Sequence, residues 1–168
     1  MFSKTCGYGL RACVFIAKES REGNKLGIQE IAREIESPMY FTGKILQNLV
    51  KARIIGSVKG PNGGFFLQED AKPVPVIRIL EVLGCDSFFH QCGLGLKNCS
   101  DSHPCPLHAE FKFYREGLKE LMTRTTIQQL AQDIIDGNGD ILNHLAAGKG
   151  MSGNGQAASA VASGQKKR

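Results

Sequence analysis

No apolar run in this chain approaches the roughly 18 to 20 residues that a membrane helix needs, so no membrane span is expected. The opening Met1-Phe2-Ser3-Lys4-Thr5-Cys6-Gly7 lacks the apolar centre and small-residue cleavage site of a signal peptide, which predicts a cytoplasmic protein. A Walker-type phosphate-binding glycine motif is missing, and the histidines form no obvious nucleophile pair, so no enzyme chemistry is expected. Internal repeats are also absent. The chain has six cysteines but none of the close Cys-x(2–4)-Cys pairs that zinc sites most often use.

What is present reads as one globular unit with an accessory element. The 168 residues are 42% hydrophobic and 22% charged, enough for a single core and too few for several. Charge is unevenly spread. Residues 1–72 carry eleven Lys/Arg against seven Asp/Glu, residues 73–146 six against nine, and the last stretch adds Lys149, Lys166, Lys167 and Arg168 with no acid. A basic first half beside an acidic middle suits a nucleic-acid-binding part joined to a regulatory part.

Apolar spacing gives the order of elements. Leu10, Cys13, Val14 and Ala17 recur at helical intervals between Ser3 and Glu19, and Gly23-Asn24 breaks the pattern. Ile28, Ile31, Ala32 and Ile35 share one face of a second helix over residues 28–36. Ser37-Pro38 then supplies an N-cap and a first-turn proline for a third helix reaching about Ala52, with Phe41, Ile45, Leu49 and Val50 directed inward. Two β-prone runs around Gly60-Pro61-Asn62-Gly63-Gly64 read as a hairpin. Further helices are expected over Pro73 to Leu83, Leu107 to about Arg124 (stripe Phe111, Tyr114, Leu118, Leu121) and Ile127 to Ile135. The residues therefore predict a mainly α fold with a small β-hairpin: a winged helix-turn-helix plus a long dimerisation helix. Three parts follow: a DNA-binding part over 1–72, a loop and dimerisation helices over 73–146, and a disordered tail over 147–168.

In such a fold the second helix of the pair reads base edges from its N-terminal end, while the wing reaches flanking backbone or minor groove. The candidates on the reading helix are Met39, Tyr40, Gly43 and Lys44, with Gly43 permitting close backbone approach. Lys44 and Lys51 can neutralise phosphates, and Lys59 places a cation at the tip of the glycine hairpin.

The middle of the chain holds Cys92, Cys99 and Cys105 within fourteen residues, followed by His108. In a reducing compartment structural disulfides are not expected, so clustered thiols point to metal or redox chemistry. Cys6 and Cys13 lie in an apolar stretch and read as buried thiols. Soft thiolates suit iron–sulfur clusters or zinc, and the wide gaps favour a cluster. Three cysteines leave one position to fill. His108 is the leading candidate, His103 and His90 follow, and Cys85 or Cys6 are outside possibilities.

Taken together, Tyr8-Gly9-Leu10-Arg11, the helix-turn-helix from Ile28 to Val50, the wing Ser57-Val58-Lys59-Gly60-Pro61-Asn62-Gly63-Gly64-Phe65 and the three-cysteine loop resemble a known family over roughly residues 1–145. It comprises the winged-helix regulators of iron–sulfur cluster assembly, nitric-oxide response and cysteine metabolism (IscR, NsrR and CymR type). The resemblance implies a homodimer joined through the long helix, reading a roughly palindromic operator in double-stranded DNA. It also implies a [2Fe–2S] cluster, or a [4Fe–4S] one, on Cys92, Cys99 and Cys105. In the cluster-assembly regulators a histidine three residues after the last cysteine completes the site, and His108 occupies that place. In the nitric-oxide sensors an acid of the first helix does so, but here Cys6-Gly7-Tyr8 offers none. The family wing commonly has arginine where this chain has Lys59, which cannot make the same bidentate fork. Alternative readings are a zinc-stabilised or cluster-free DNA-binding regulator, and an iron–sulfur carrier.

Overall fold

Ser3 opens the first helix as its N-cap, its hydroxyl oxygen accepting the Cys6 N–H at 3.4 Å. The computed structural model describes residues 3–141, so the expected tail over 147–168 lies outside the described residues. Among the described residues six helices follow one another: α1 (Lys4–Glu19), α2 (Ile28–Glu34), α3 (Met39–Lys51), α4 (Val76–Val82), α5 (His108–Arg124) and α6 (Ile127–Ile135). Between α3 and α4 a hairpin pairs β1 (Gly56–Val58) with β2 (Gly64–Phe66) in antiparallel register, Ser57 opposite Phe65. Three helices and a wing thus stand in the order read from the residues, with short 3-10 turns at Arg21–Gly23 and Ser87–Phe89.

Local chemistry explains most boundaries. α2 stops at Glu34 rather than Glu36 because Glu36 takes a left-handed φ of 52° and the Ser37 N–H donates back to the Ala32 carbonyl at 3.0 Å. The same closure ends α3, where Arg53 has φ 57° and the Ile54 N–H donates to the Leu49 carbonyl at 2.9 Å. Ser37 does not cap α3 as expected. Pro38 holds the cap position, with φ −55° and ψ 133°, and the Ser37 hydroxyl is buried without a hydrogen-bond partner. Thr126 caps α6, its hydroxyl oxygen accepting the Gln129 N–H at 3.2 Å.

The main core gathers Ala12, Cys13, Phe15 and Ile16 of α1, Ile31 and Ile35 around α2, Ile45, Leu46 and Leu49 of α3, and Ile79, Ile127 and Ala131 of α4 and α6. Residues from both sides of position 72 therefore share one apolar interior. A second cluster joins Cys6, Val76, Leu80 and Phe89, with Leu118 and Met122 of α5 packed against it. One residue expected to face inward, Phe41, faces out and is 52% exposed. It sits on a helix face that has no partner element within the described residues.

The wing is anchored by backbone. Leu26 and Phe65 exchange both N–H···O bonds at 2.9 Å, and the Leu67 N–H donates to Ser20 Oγ at 2.9 Å. At Gly64, with φ 152°, a Cβ would stand 2.6 Å from the Leu26 carbonyl oxygen. Only glycine lets the strand come this close. Gly64→Ala is therefore expected to cost about 2 kcal/mol and lower the thermal midpoint. Gly27→Ala, whose added Cβ meets nothing within 4 Å, should leave the midpoint nearly unchanged in the same melt.

Candidate functional site

Two groups of residues stand out as chemistry-bearing, one on the reading helix and one in the loop ahead of α5. On α3, Met39, Tyr40, Gly43 and Lys44 line one surface depression together with Ile28 and Gln47. Met39, Tyr40 and Lys44 are exposed, and the Lys44 ammonium lies 4.4 Å from the centre of the Tyr40 ring. Gly43 is half-buried: a Cβ there would meet Ile28 Cδ1 at 3.2 Å, so close packing of α3 on α2 already calls for a small residue. Lys51 is exposed in the last turn of α3. Lys59 is exposed just beyond β1, beside the turn closed by the Gly63 N–H donating to the Gly60 carbonyl at 3.0 Å.

The loop brings its three thiols together. The sulfurs of Cys92, Cys99 and Cys105 all lie within 4.8 Å of one another, and Cys92 Sγ is 3.6 Å from Cys105 Sγ. All three are free and half-buried. His108 Nδ1 stands 3.1 Å from Cys99 Sγ, while Nε2 is 2.9 Å from Asp101 Oδ1. Facing a carboxylate, Nε2 carries the proton and donates it, which leaves the Nδ1 lone pair towards the sulfurs. Asp101 also accepts from Lys112 Nζ at 2.8 Å on both oxygens. Those hydrogen bonds, from Lys112 first and His108 second, hold its carboxyl down at about 2.

The electrostatics of the thiols differ. Backbone N–H groups of Leu96 and Leu94 point at Cys92 and lower it to about 7, with smaller help from Cys105 and Cys99. For Cys99 a backbone hydrogen bond from Cys105 pulls downward, but burial and the neighbouring sulfurs outweigh it, and the net direction is upward. Cys99 thus stays protonated longer and can donate its S–H to His108 Nδ1. What results is a set of three soft sulfurs and one imidazole nitrogen, the donor chemistry of a metal or metal-cluster site. Three sulfurs brought together, with the imidazole beside one of them, are donors whose chemistry fits an iron–sulfur group.

A family profile described as an iron-dependent transcriptional regulator, Rrf2, matches residues 2–133. The chain belongs to the Rrf2 family. It is accordingly similar to transcriptional regulators. A protein of Aquifex aeolicus named as an HTH-type transcriptional regulator is 29% identical to this Rrf2 chain over 132 residues, covering 77% of it and 90% of the relative. The HTH-type transcriptional regulator IscR of Klebsiella pneumoniae is 24% identical over 134 residues, covering 79% and 81%. Among solved structures, CymR, the global cysteine regulator of B. subtilis, superposes with a TM-score of 0.64 at 20% identity, over 79% of this chain and 96% of that one. T. potens IscR gives 0.62 at 18% identity, over 83% and 92%. These likenesses establish the winged-helix fold expected from the residues.

For the other fourth-ligand candidates, the Rrf2 fold supplies other partners. His90 Nε2 lies 3.7 Å from Asp86, and His103 Nδ1 lies 3.1 Å from Ser102 Oγ. Cys6 and Cys85 are joined as a disulfide, contrary to the expectation of separate thiols, because α1 and α4 pack with these positions face to face. Asp101 and Lys112 went unnoticed in the sequence. The signal lay seven and eleven positions away, where only a folded loop could relate them.

The unequal thiols lead to a direct expectation for the metal-free protein. Cys92 should be alkylated first, at a rate that climbs as pH rises through about 7 and falls away in acid as the thiolate is protonated. Cys99 should lag into more alkaline solution, and buried Cys13 should stay silent until unfolding. Peptide mass spectrometry of timed iodoacetamide reactions reads the order. Cys99 reacting ahead of Cys92 would contradict it.

Proposed function

We propose that this Rrf2 regulator binds a roughly palindromic operator as a homodimer, and that an iron–sulfur cluster on Cys92, Cys99, Cys105 and His108 controls the binding. The observation that carries the reading is the convergence of three free sulfurs within 4.8 Å, with His108 Nδ1 3.1 Å from Cys99. When bound, an iron–sulfur group brings reversible electron and ligand exchange, which makes its retention responsive to oxidants or nitric oxide. A nitrogen in place of a fourth sulfur makes such a site easier to perturb. Asp101 orients the His108 ring, and Lys112 holds Asp101 in turn.

The route from loop to DNA runs through packing. The loop departs from the end of α4 and returns at α5, and both helices rest on the cluster containing Cys6 of α1. α1 in turn shares the main core with Ile45, Leu46 and Leu49 of the reading helix. A shift of the loop therefore alters how the two heads of a dimer are held. Coupling of about 1–3 kcal/mol is typical for such arrangements. Self-association through α5 is supported by its lack of any buried residue and by Phe113, 73% exposed, beside Tyr114. Met39, Tyr40, Gly43, Lys44 and Lys51 serve the major groove and its phosphates, and Lys59 the flanking backbone.

A second reading has its own support. Three thiolates and one imidazole this closely spaced also suit a single tetrahedral zinc ion that stabilises the loop without redox control. Anaerobic isolation separates the two. A coloured protein with iron and acid-labile sulfide supports the cluster, and a colourless protein with stoichiometric zinc refutes it. His108→Ala should change the absorption spectrum of the coloured form.

The switch itself is read by gel shift on a promoter fragment. Cluster-loaded and cluster-free protein should differ about 5- to 150-fold in affinity, whereas equal affinity in both would rule the switch out. Lys59→Ala should weaken binding roughly 3- to 10-fold at low salt and flatten the log–log salt dependence by about one unit.

A further inference from the structure

Cys6 and Cys85 take no part in the loop site, yet the fold sets them against each other. Their Cα atoms are 6.1 Å apart across 79 residues of chain, and the two sulfurs are bonded. Each position is fixed by a helix end that does not need the bond. Cys6 lies in the first turn of α1, its N–H held by Ser3 Oγ, whose oxygen is also 2.8 Å from Cys6 Sγ. Cys85 follows the end of α4, where Gly84 takes a left-handed φ of 66° and the Cys85 N–H donates to the Leu80 carbonyl at 2.7 Å. The helices touch closely beside the pair: a Cβ built on Gly9 would stand 2.1 Å from Leu83 Cδ1. Two thiols released at these positions would remain neighbours, so closing the bond needs no search.

Access is one-sided. Cys6 is 2% exposed within the second apolar cluster, whereas Cys85 is half-buried at the edge of that cluster. We propose that Cys6 and Cys85 form a reversible dithiol–disulfide site, distinct from the three-cysteine loop, that is oxidised by low-molecular-weight disulfides entering at Cys85. The Cys85 thiolate attacks one sulfur of the small disulfide, whose S–S bond breaks and releases one thiolate. Cys6, as thiolate, then attacks Cys85 Sγ, breaks the mixed disulfide and releases the second thiolate. Two electrons pass from the cysteine pair to the small disulfide, and the two cysteine protons end on the two small thiols. A dithiol reductant reverses the sequence.

The consequence is positional. Cys85 lies seven residues before Cys92, so the closed bond fastens the base of the cysteine loop to the first turn of α1. Opening it releases that covalent tie and leaves only packing. This site is independent of whether the loop carries iron, zinc or nothing.

The test equilibrates the full-length chain in glutathione buffers of stepped reduced-to-oxidised ratio, quenches with acid, alkylates and maps peptides. Cys6 and Cys85 should lose alkylation together in one two-electron transition, while Cys13 stays reduced at every ratio. Cys6→Ser should accumulate glutathione on Cys85, and Cys85→Ser should leave Cys6 unmodified. A full-length chain with serine at positions 92, 99 and 105 should show the same transition, which separates this result from the fate of any loop-bound metal. Two outcomes overturn the proposal: Cys6 and Cys85 staying alkylatable in the most oxidising buffer, or their bond persisting in native protein under excess dithiol. Glutathione found on Cys6 rather than Cys85 would overturn the assigned point of entry.

Discussion

Burial of α1 on nearly all its sides is the constraint on which the remainder of the structure rests. Half of its residues, Cys6, Gly9, Ala12, Cys13, Val14, Phe15, Ile16 and Ala17, are withdrawn from water, and they face different neighbours. Ile16 and Cys13 lie in the core with α3 and α6, and Cys6 lies with α4 and Phe89. Each large apolar side chain so buried contributes roughly 1.5–3 kcal/mol, and the small ones let the neighbouring backbones approach. A helix held this way cannot move without being felt by the reading helix on one side and the loop base on the other.

Against that dry scaffold, the cysteine loop is organised by polar contacts. It carries no strand and only one short 3-10 turn, and its order comes from the run Cys99–His108–Asp101–Lys112 together with Arg115 donating to the Gln91 carbonyl at 3.0 Å. Several of these groups are exposed, so each bond is individually weak in water. Their combined effect is directional: the imidazole keeps one tautomer, and the thiols keep unequal affinity for protons. A loop of this kind can exchange a ligand or a proton without disturbing the hydrophobic interior.

Much of the architecture was legible in the residues because amphipathic spacing is a local property. The periodic helices and the glycine-rich hairpin appeared where expected, and the sulfurs of Cys92, Cys99 and Cys105 lie close together. The failures share a physical cause. Ser37 looks like a cap, but Pro38 takes that position and has no side-chain group to accept the helix N–H. Phe41 looks like core because aromatic residues usually are, yet no element within the described chain covers its face. The pairing of Cys6 with Cys85 and the bridging role of Asp101 depend on contacts between distant segments, which no local pattern encodes.

The backbone clasp between Leu26 and Phe65 has one more implication. It grips β2 to the segment just ahead of α2, so the hairpin and the two helices of the motif are braced at a common point. Such a head resembles a caliper whose jaws have been welded at a preset gap. Adjustment to a different nucleic-acid contour then falls to the tilt of the entire head, or to the duplex bending to meet it, rather than to the hairpin folding on its own.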